Sequence, residues 1–177
     1  MITYRPIQTT DAAILAQLHT ASWRSAYRGI LSEHYLTHDI EADRLKVWSK
    51  RMANPVPNQY GVIALEDNTP VGFVFVYGND HPQWGSLVDN LHVLPDHKGK
   101  GLGASLLGQA AAWVQDHYPA AGLYLWVYEA NESAVGFYEH VGGQRVETDI
   151  KSNPGSGEAS CFCYAWPDVT MLLIISL

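Results

Sequence analysis

The chain has 177 residues, 47% of them apolar, and a formal charge of −7, which suits one folded domain with a substantial core. The acidic balance argues against nucleic acid or an anionic membrane as main partner and is compatible with a cationic small substrate. The apolar run Met171–Ile175 is far too short to span a bilayer, and no apolar run in the chain exceeds six residues.

Ile2–Gln8 alternates and reads as a short strand. Thr10 or Asp11 can cap the next helix, whose stripe runs Ile14, Leu15, Leu18, Ala21 and Trp23 and which Gly29 ends. A second helical region runs from about Ser32 to Met52, with a break near Thr37–Asp39, and Asn54-Pro55-Val56-Pro57-Asn58 stops it. The pattern then switches: Tyr60–Glu66 and Val71–Tyr77 form a hairpin across Asp67-Asn68-Thr69-Pro70. Gly78–Pro82 is predicted as a loop and Trp84–Val93 as the next strand. Gly101–His117 is an amphipathic helix, Gly122–Tyr128 a strand, and Asn131–His140 a helix that Asn131 caps. Gln144–Ile150 and Ser160–Trp166 close the sheet, and Thr170–Leu177 is a short helix under an Asp168 cap or a strand. The predicted fold is α/β of mixed α+β kind, with about six to seven strands, mostly antiparallel, one parallel pair at the crossover, and helices on both faces.

Cys161 and Cys163 are the only cysteines; two apart in a strand they share a face and read as small buried side chains in a reducing, cytoplasmic setting. With scattered histidines they give no metal-ligand spacing. The start Met1-Ile2-Thr3-Tyr4-Arg5 carries no signal-peptide pattern.

The chemistry concentrates at Val93-Leu94-Pro95-Asp96-His97-Lys98-Gly99-Lys100-Gly101-Leu102-Gly103-Ala104, a strand end and turn with alternate glycines opening a helix. Backbone amides at a helix N-terminus attract phosphate, and glycine permits the close approach. A Walker A loop lacks its Lys-Ser/Thr pair here. A dinucleotide fingerprint fits Gly99-x-Gly101-x-x-Ala104 only formally, because Leu94–Lys98 separates the glycines from the strand and no acidic residue ends the next strand in register.

Val93-x-Pro95-x-x-Lys98-x-x-Gly101-x-Gly103-Ala104 resembles motif A of the GNAT-type N-acetyltransferases, and Asn131-x-x-Ala134-x-x-Phe137-Tyr138-Glu139-x-x-Gly142 their motif B. Ser22-Trp23-Arg24-x-Ala26-Tyr27-x-Gly29 resembles their acceptor-side helix, and Pro70-Val71-Gly72-Phe73 their central hairpin. The resemblance spans nearly the whole chain and implies one acetyltransferase domain over 1–177, a twisted sheet whose parallel pair splays at the cofactor, and acetyl-CoA as cosubstrate. Two departures stand out. Lys98 occupies a position where the family usually has Gln or Arg, and Gly143 replaces a packing phenylalanine.

The resemblance also implies roles. Amides of Lys98, Gly99, Lys100, Gly101, Leu102, Gly103 and Ala104 would cradle the pyrophosphate. The backbone of Leu91, His92 and Val93 would hold the pantetheine arm, with the Val93 amide polarising the thioester carbonyl. Asn131 and Tyr138 would contact the cofactor, and Tyr138 would protonate the leaving thiolate. For the base, family members carry Glu at what is Leu87 here; Asp89, two positions on, is expected on the same face, His92 on the other face under a helix, and Glu129 is a further candidate. Trp23 and Tyr27, four apart, are expected to line the acceptor pocket and stack on a cation, with Tyr35, Trp48, Tyr77 and Trp84 as pocket or packing residues. The expected activity is acetylation of a small primary amine by direct transfer, in a cytoplasmic protein and as a candidate homodimer. The alternatives are protein or peptide N-terminal acetylation and a non-catalytic acyl-CoA sensor.

Overall fold

The computed structural model of the chain describes residues 1–155 and 157–175. In chain order it comprises β1 (Ile2–Pro6), α1 (Ala12–Ala26), a π turn (Tyr35–Asp39) running into α2 (Ile40–Ala53), β2 (Gln59–Glu66), β3 (Thr69–His81), β4 (Gly85–Val93), α3 (Leu102–His117), β5 (Leu123–Tyr128), α4 (Glu132–His140), β6 (Gln144–Ser152), β7 (Glu158–Trp166) and α5 (Thr170–Ile175). Among the described residues the seven strands form one sheet in the order β1-β2-β3-β4-β5-β7-β6. Every pairing is antiparallel except β4–β5, as the crossover through α3 requires.

Strand alternation builds two cores. Val62 and Ala64 of β2 with Val74 and Val76 of β3 meet Leu106, Leu107, Ala110 and Val114 of α3. The residues between them, Ile63, Phe73 and Phe75, meet Leu15 and Leu18 of α1 and Trp48 and Met52 of α2. Trp48 is 0% exposed and is gripped edge-on by Phe73 and Phe75. Removing its ring would cost about 3–5 kcal/mol.

Three local expectations are corrected. Asp11 stands at the start of α1 without capping it by its side chain; its carboxylate accepts from Arg5 and from the Gln8 amide. The stretch predicted as a loop, Gly78–Pro82, is strand as far as His81. Its polar residues are fixed from neighbouring strands: Asn79 N–H donates to Ser86 Oγ at 3.0 Å, and Asp80 accepts from the Tyr124 hydroxyl. Third, β4 carries a bulge: Phe75 pairs with Asn90 but Val76 with Val88, so Asp89 is the extra residue. One extra residue inverts the alternation beyond it. Leu87 opposite Tyr77, Asn90 opposite Phe75 and His92 opposite Phe73 therefore share the α1–α2 face, and the expectation that His92 lies on the face away from Leu87 fails.

Thr170–Ile175 is helix rather than strand, and Val169 and Leu172 join the α3-side core. Residues 176 and 177 of the apolar tail, and Ser156 between β6 and β7, lie outside the described residues.

Candidate active site

β4 and β5 pair only at Ser86–Leu123 and Leu87–Tyr124 and then part. The Leu94 amide donates to the Val71 carbonyl at 2.9 Å. Stepping back in twos along this antiparallel ladder, His92 and Asn90 turn their peptide groups to β3, whereas Leu91 and Val93 turn theirs to the gap. The backbone role expected of Leu91 and Val93 is thus available; that expected of His92 is not, because its peptide group already faces the Phe73 strand.

At the end of β4, Pro95–His97 forms one tight turn. The Lys98 amide closes it by donating to Pro95 O at 3.2 Å, so Lys98 offers its ammonium, not its amide. From Gly99 to Ala104 the amides have no partner among the described residues, and the first α3 bond runs from Ser105 N–H to Gly101 O at 3.0 Å. Gly99 and Gly101 take φ +75 and +79, and a Cβ at either would meet nothing within 4 Å. The result is an open amide cradle at the positive end of a sixteen-residue helix. Lys100 is exposed and the Leu102 side chain is core, and neither is among the residues lining the cavity.

Gap and cradle open into one cavity of about 800 Å³. Asn131, Phe137 and Tyr138 of the α4 segment form one wall, with Leu125–Tyr128 of β5, Lys151 of β6 and Cys161 of β7 beside them. Asn131 caps α4, accepting from the Ala134 amide at 3.4 Å. Tyr138 is 9% exposed, and burial pushes its hydroxyl above the ordinary tyrosine range. Lys151 and Cys161 were not anticipated; they sit on strands remote in sequence, and only the β5–β7–β6 order brings them here.

Trp23 of α1 and Tyr27 at its C-terminal cap do line the cavity, together with Asp89 and His92. The Arg44 guanidinium of α2 lies 4.6 Å from the Trp23 ring centroid, so that face already holds a cation and the expected stacking of an acceptor cation there is taken up from within. Tyr27 meets Tyr128 edge-on at 5.0 Å. The Asp89 carboxylate accepts from Arg51 at 2.6 Å and from Asn90, both on Oδ2, and Oδ1 has no partner among the described residues. His92 does sit under α1: its Nδ1 is 3.0 Å from Ser22 Oγ and its ring stacks on His19 at 4.4 Å. Burial, helped by Lys98 and Arg44, lowers its pKa to about 3. Glu129 is not among the residues lining the cavity. Of the aromatic candidates, Trp48, Tyr77 and Trp84 pack in other clusters, and Tyr35 lies behind the cavity wall in the cluster that Trp23, Tyr27 and Tyr128 pack against; none of the four lines the cavity.

Residues 16–143 match the Acetyltransferase (GNAT) family. An uncharacterized N-acetyltransferase, YuaI of Bacillus subtilis, is 25% identical over 97% of this chain and 96% of its own length. Streptothricin acetyltransferase A of the same organism is 28% identical over 67% of this chain and 79% of its own. The PaiA N-acetyltransferase of Thermoplasma acidophilum, solved in complex with coenzyme A, superposes with a TM-score of 0.71 at 21% identity, over 94% of this chain and 99% of that one. A seven-stranded sheet parted at its single parallel pair, with a glycine cradle at the parting, accords with that match, and the chain belongs to the GNAT acetyltransferase family, an N-acetyltransferase with acetyl-CoA as its acyl donor.

Proposed function

We propose that the protein transfers an acetyl group from acetyl-CoA directly to the primary amine of a small molecule. One observation carries the reading: a single cavity joins the cradle at Gly99, Gly101, Gly103 and Ala104, the β4–β5 gap, Tyr138 and the aromatics Trp23 and Tyr27. The residues present fit the donor, since the cradle has the open space and free donors a pyrophosphate needs and the gap exposes the peptide groups of Leu91 and Val93. Lys98 adds a positive charge, and Asn131 and Phe137 flank the passage. When bound, acetyl-CoA supplies the thioester-activated acetyl group.

The chain's residues then divide the remaining work. The Val93 amide is positioned to polarise a carbonyl in the gap, as an oxyanion hole does. Tyr138, protonated at neutral pH and made a still weaker acid by burial, holds a proton for a departing thiolate. Asp89 takes the proton of the incoming ammonium through its free Oδ1, directly or through water. His92 is the poorer candidate by position, since its Nδ1 is engaged with Ser22 Oγ and its ring is stacked on His19. Trp23, Tyr27 and Tyr128 wall the acceptor end and exclude water. That aromatic enclosure, with the similarity to a streptothricin acetyltransferase, favours a small acceptor over a peptide.

The test is calorimetric titration with acetyl-CoA, followed by thiol release against small amines and peptides with free N-termini. Acetyl-CoA binding with turnover on a small amine is the expected result. Turnover confined to peptides would overturn the acceptor assignment, and binding without any turnover would favour a sensor.

A further inference from the structure

Resting on that reading, we infer that Lys151 is an acetylation site of the chain itself, and that its amine takes the acetyl group inside its own cavity. The sequence holds five lysines: Lys46, Lys50, Lys98, Lys100 and Lys151. Among the described residues, only Lys98 and Lys151 line the cavity. Lys46 and Lys50 stand exposed on α2, and Lys100 is exposed beside the cradle. Lys98 belongs to the cradle, where a pyrophosphate calls for its charge. Lys151 has no such duty.

Its direction is the telling feature. β6 is the last strand of the sheet, beyond β7 and β5, and a lysine on such an edge ordinarily runs into solvent. Lys151 instead reaches back across β7. Its Nζ lies 3.8 Å from the centroid of the Trp126 ring on β5, and Trp126 itself lines the cavity. The β4–β5 pairing has ended just before, at Leu87–Tyr124, so the amine rests over the bank of the gap where the strands part. The Asp149 carboxylate, two positions back on the same face of β6, holds it at 3.2 Å.

The hold is loose. The Lys151 side chain is 39% exposed and that of Asp149 58%, and an ion pair so open to water is weak. The flexible four-carbon stem can therefore swing Nζ from the Trp126 ring toward the gap by side-chain rotation alone. The step balances. The ammonium first gives a proton to Asp149 or water. Neutral Nζ then attacks the thioester carbonyl carbon: a C–N bond forms, the C–S bond breaks, and Nζ sheds its second proton. The leaving thiolate takes a proton from Tyr138, so the products are Nε-acetyl-lysine, free CoA and one net proton. Acetylation removes a positive charge from the cavity wall, and with it the Asp149 pair and the cation over Trp126.

The test incubates the whole protein with acetyl-CoA and no acceptor, and locates acetylated lysines over time by peptide mass spectrometry. The expected result is acetylation of Lys151 about tenfold or more faster than of Lys46 or Lys50, at a first-order rate that does not change with protein concentration. A second readout needs no enzymatic transfer: N-hydroxysuccinimidyl acetate is applied with and without CoA. Bound CoA should slow labelling of Lys151 and leave Lys46 and Lys50 unchanged. Acetylation of Lys151 no faster than of the α2 lysines, a rate that rises with protein concentration, or labelling of Lys151 indifferent to CoA would overturn the inference. Failure to bind acetyl-CoA by calorimetry would instead strike the underlying functional reading.

Discussion

Protonation of His92 offers a quantitative check on the packing between α1 and β4. Its pKa falls from the ordinary 6.5 to about 3 because the ring lies between His19, Phe73 and Ser22 and opens only on the cavity. The folded-state value lies below the unfolded one, so the unfolded chain binds the extra proton first. The associated stability is intact above the unfolded pKa and is lost as pH falls from about 6.5 toward 3. For one such histidine, linkage gives a loss of about 2 kcal/mol between pH 7 and pH 5, an upper figure because the cavity edge is wetted. The assay is urea unfolding at both pH values for the wild-type chain and for His92→Gln. His19, also held well below the ordinary range by its own burial and next by His92, contributes a loss over the same interval in both proteins. Asp11 and Asp43, whose carboxyls are held below their ordinary range, lose their contribution mainly below pH 5. His92→Gln should start less stable at pH 7 and then lose about 1–2 kcal/mol less than wild type on going to pH 5. An identical loss in the two proteins would refute the account of His92 as a ring kept neutral by burial.

The remaining predictions concern the site. Tyr138→Phe should lower kcat by about a hundredfold or more at neutral pH while leaving acetyl-CoA affinity within a few-fold by calorimetry; unchanged turnover would remove Tyr138 as the acid. Asp89→Asn should lower kcat/KM below the acceptor's own pKa and recover as pH rises and free amine accumulates, and a pH-independent loss would reassign Asp89 to holding Arg51. Gly101→Ala meets no steric neighbour but must adopt φ +79, so chemical unfolding should show a cost of about 1–2 kcal/mol together with weaker acetyl-CoA binding. Gly103→Ala, in the first turn of α3 with its Cβ 3.3 Å from Phe137, should weaken acetyl-CoA binding without that backbone cost.

What the sequence disclosed and what it hid follow from the range of the forces involved. The cradle was legible because phosphate-binding chemistry is local: the glycines, the helix start and the strand end lie within a dozen residues. Tyr138, Trp23 and Tyr27 were legible by resemblance, and all three line the cavity. The bulge at Asp89 was not legible, because nothing in Leu87–Leu91 marks it and it arises from how β4 meets β3. One inserted residue sufficed to misplace His92. Arg44 over Trp23, Arg51 on Asp89 and Lys151 at the cavity wall are contacts between distant segments. The overrun of β3 through Gly78–His81 failed for the same reason, since Ser86 and Tyr124 hold residues whose composition reads as a turn.

The parting of β4 from β5 also has a mechanical meaning. Two ladder pairings join the half-sheet β1–β4 to the half-sheet β5–β7, while the core under α3 packs against both halves, so the seam is open in its hydrogen bonds and held from one face. Leu91 and Val93 lie along the open seam, where a peptide group without a partner exchanges its hydrogen freely. A ligand drawn into the seam supplies the missing partners. The slowing of exchange at those two amides would then measure how firmly the seam is closed, independently of whether any acetyl group has moved.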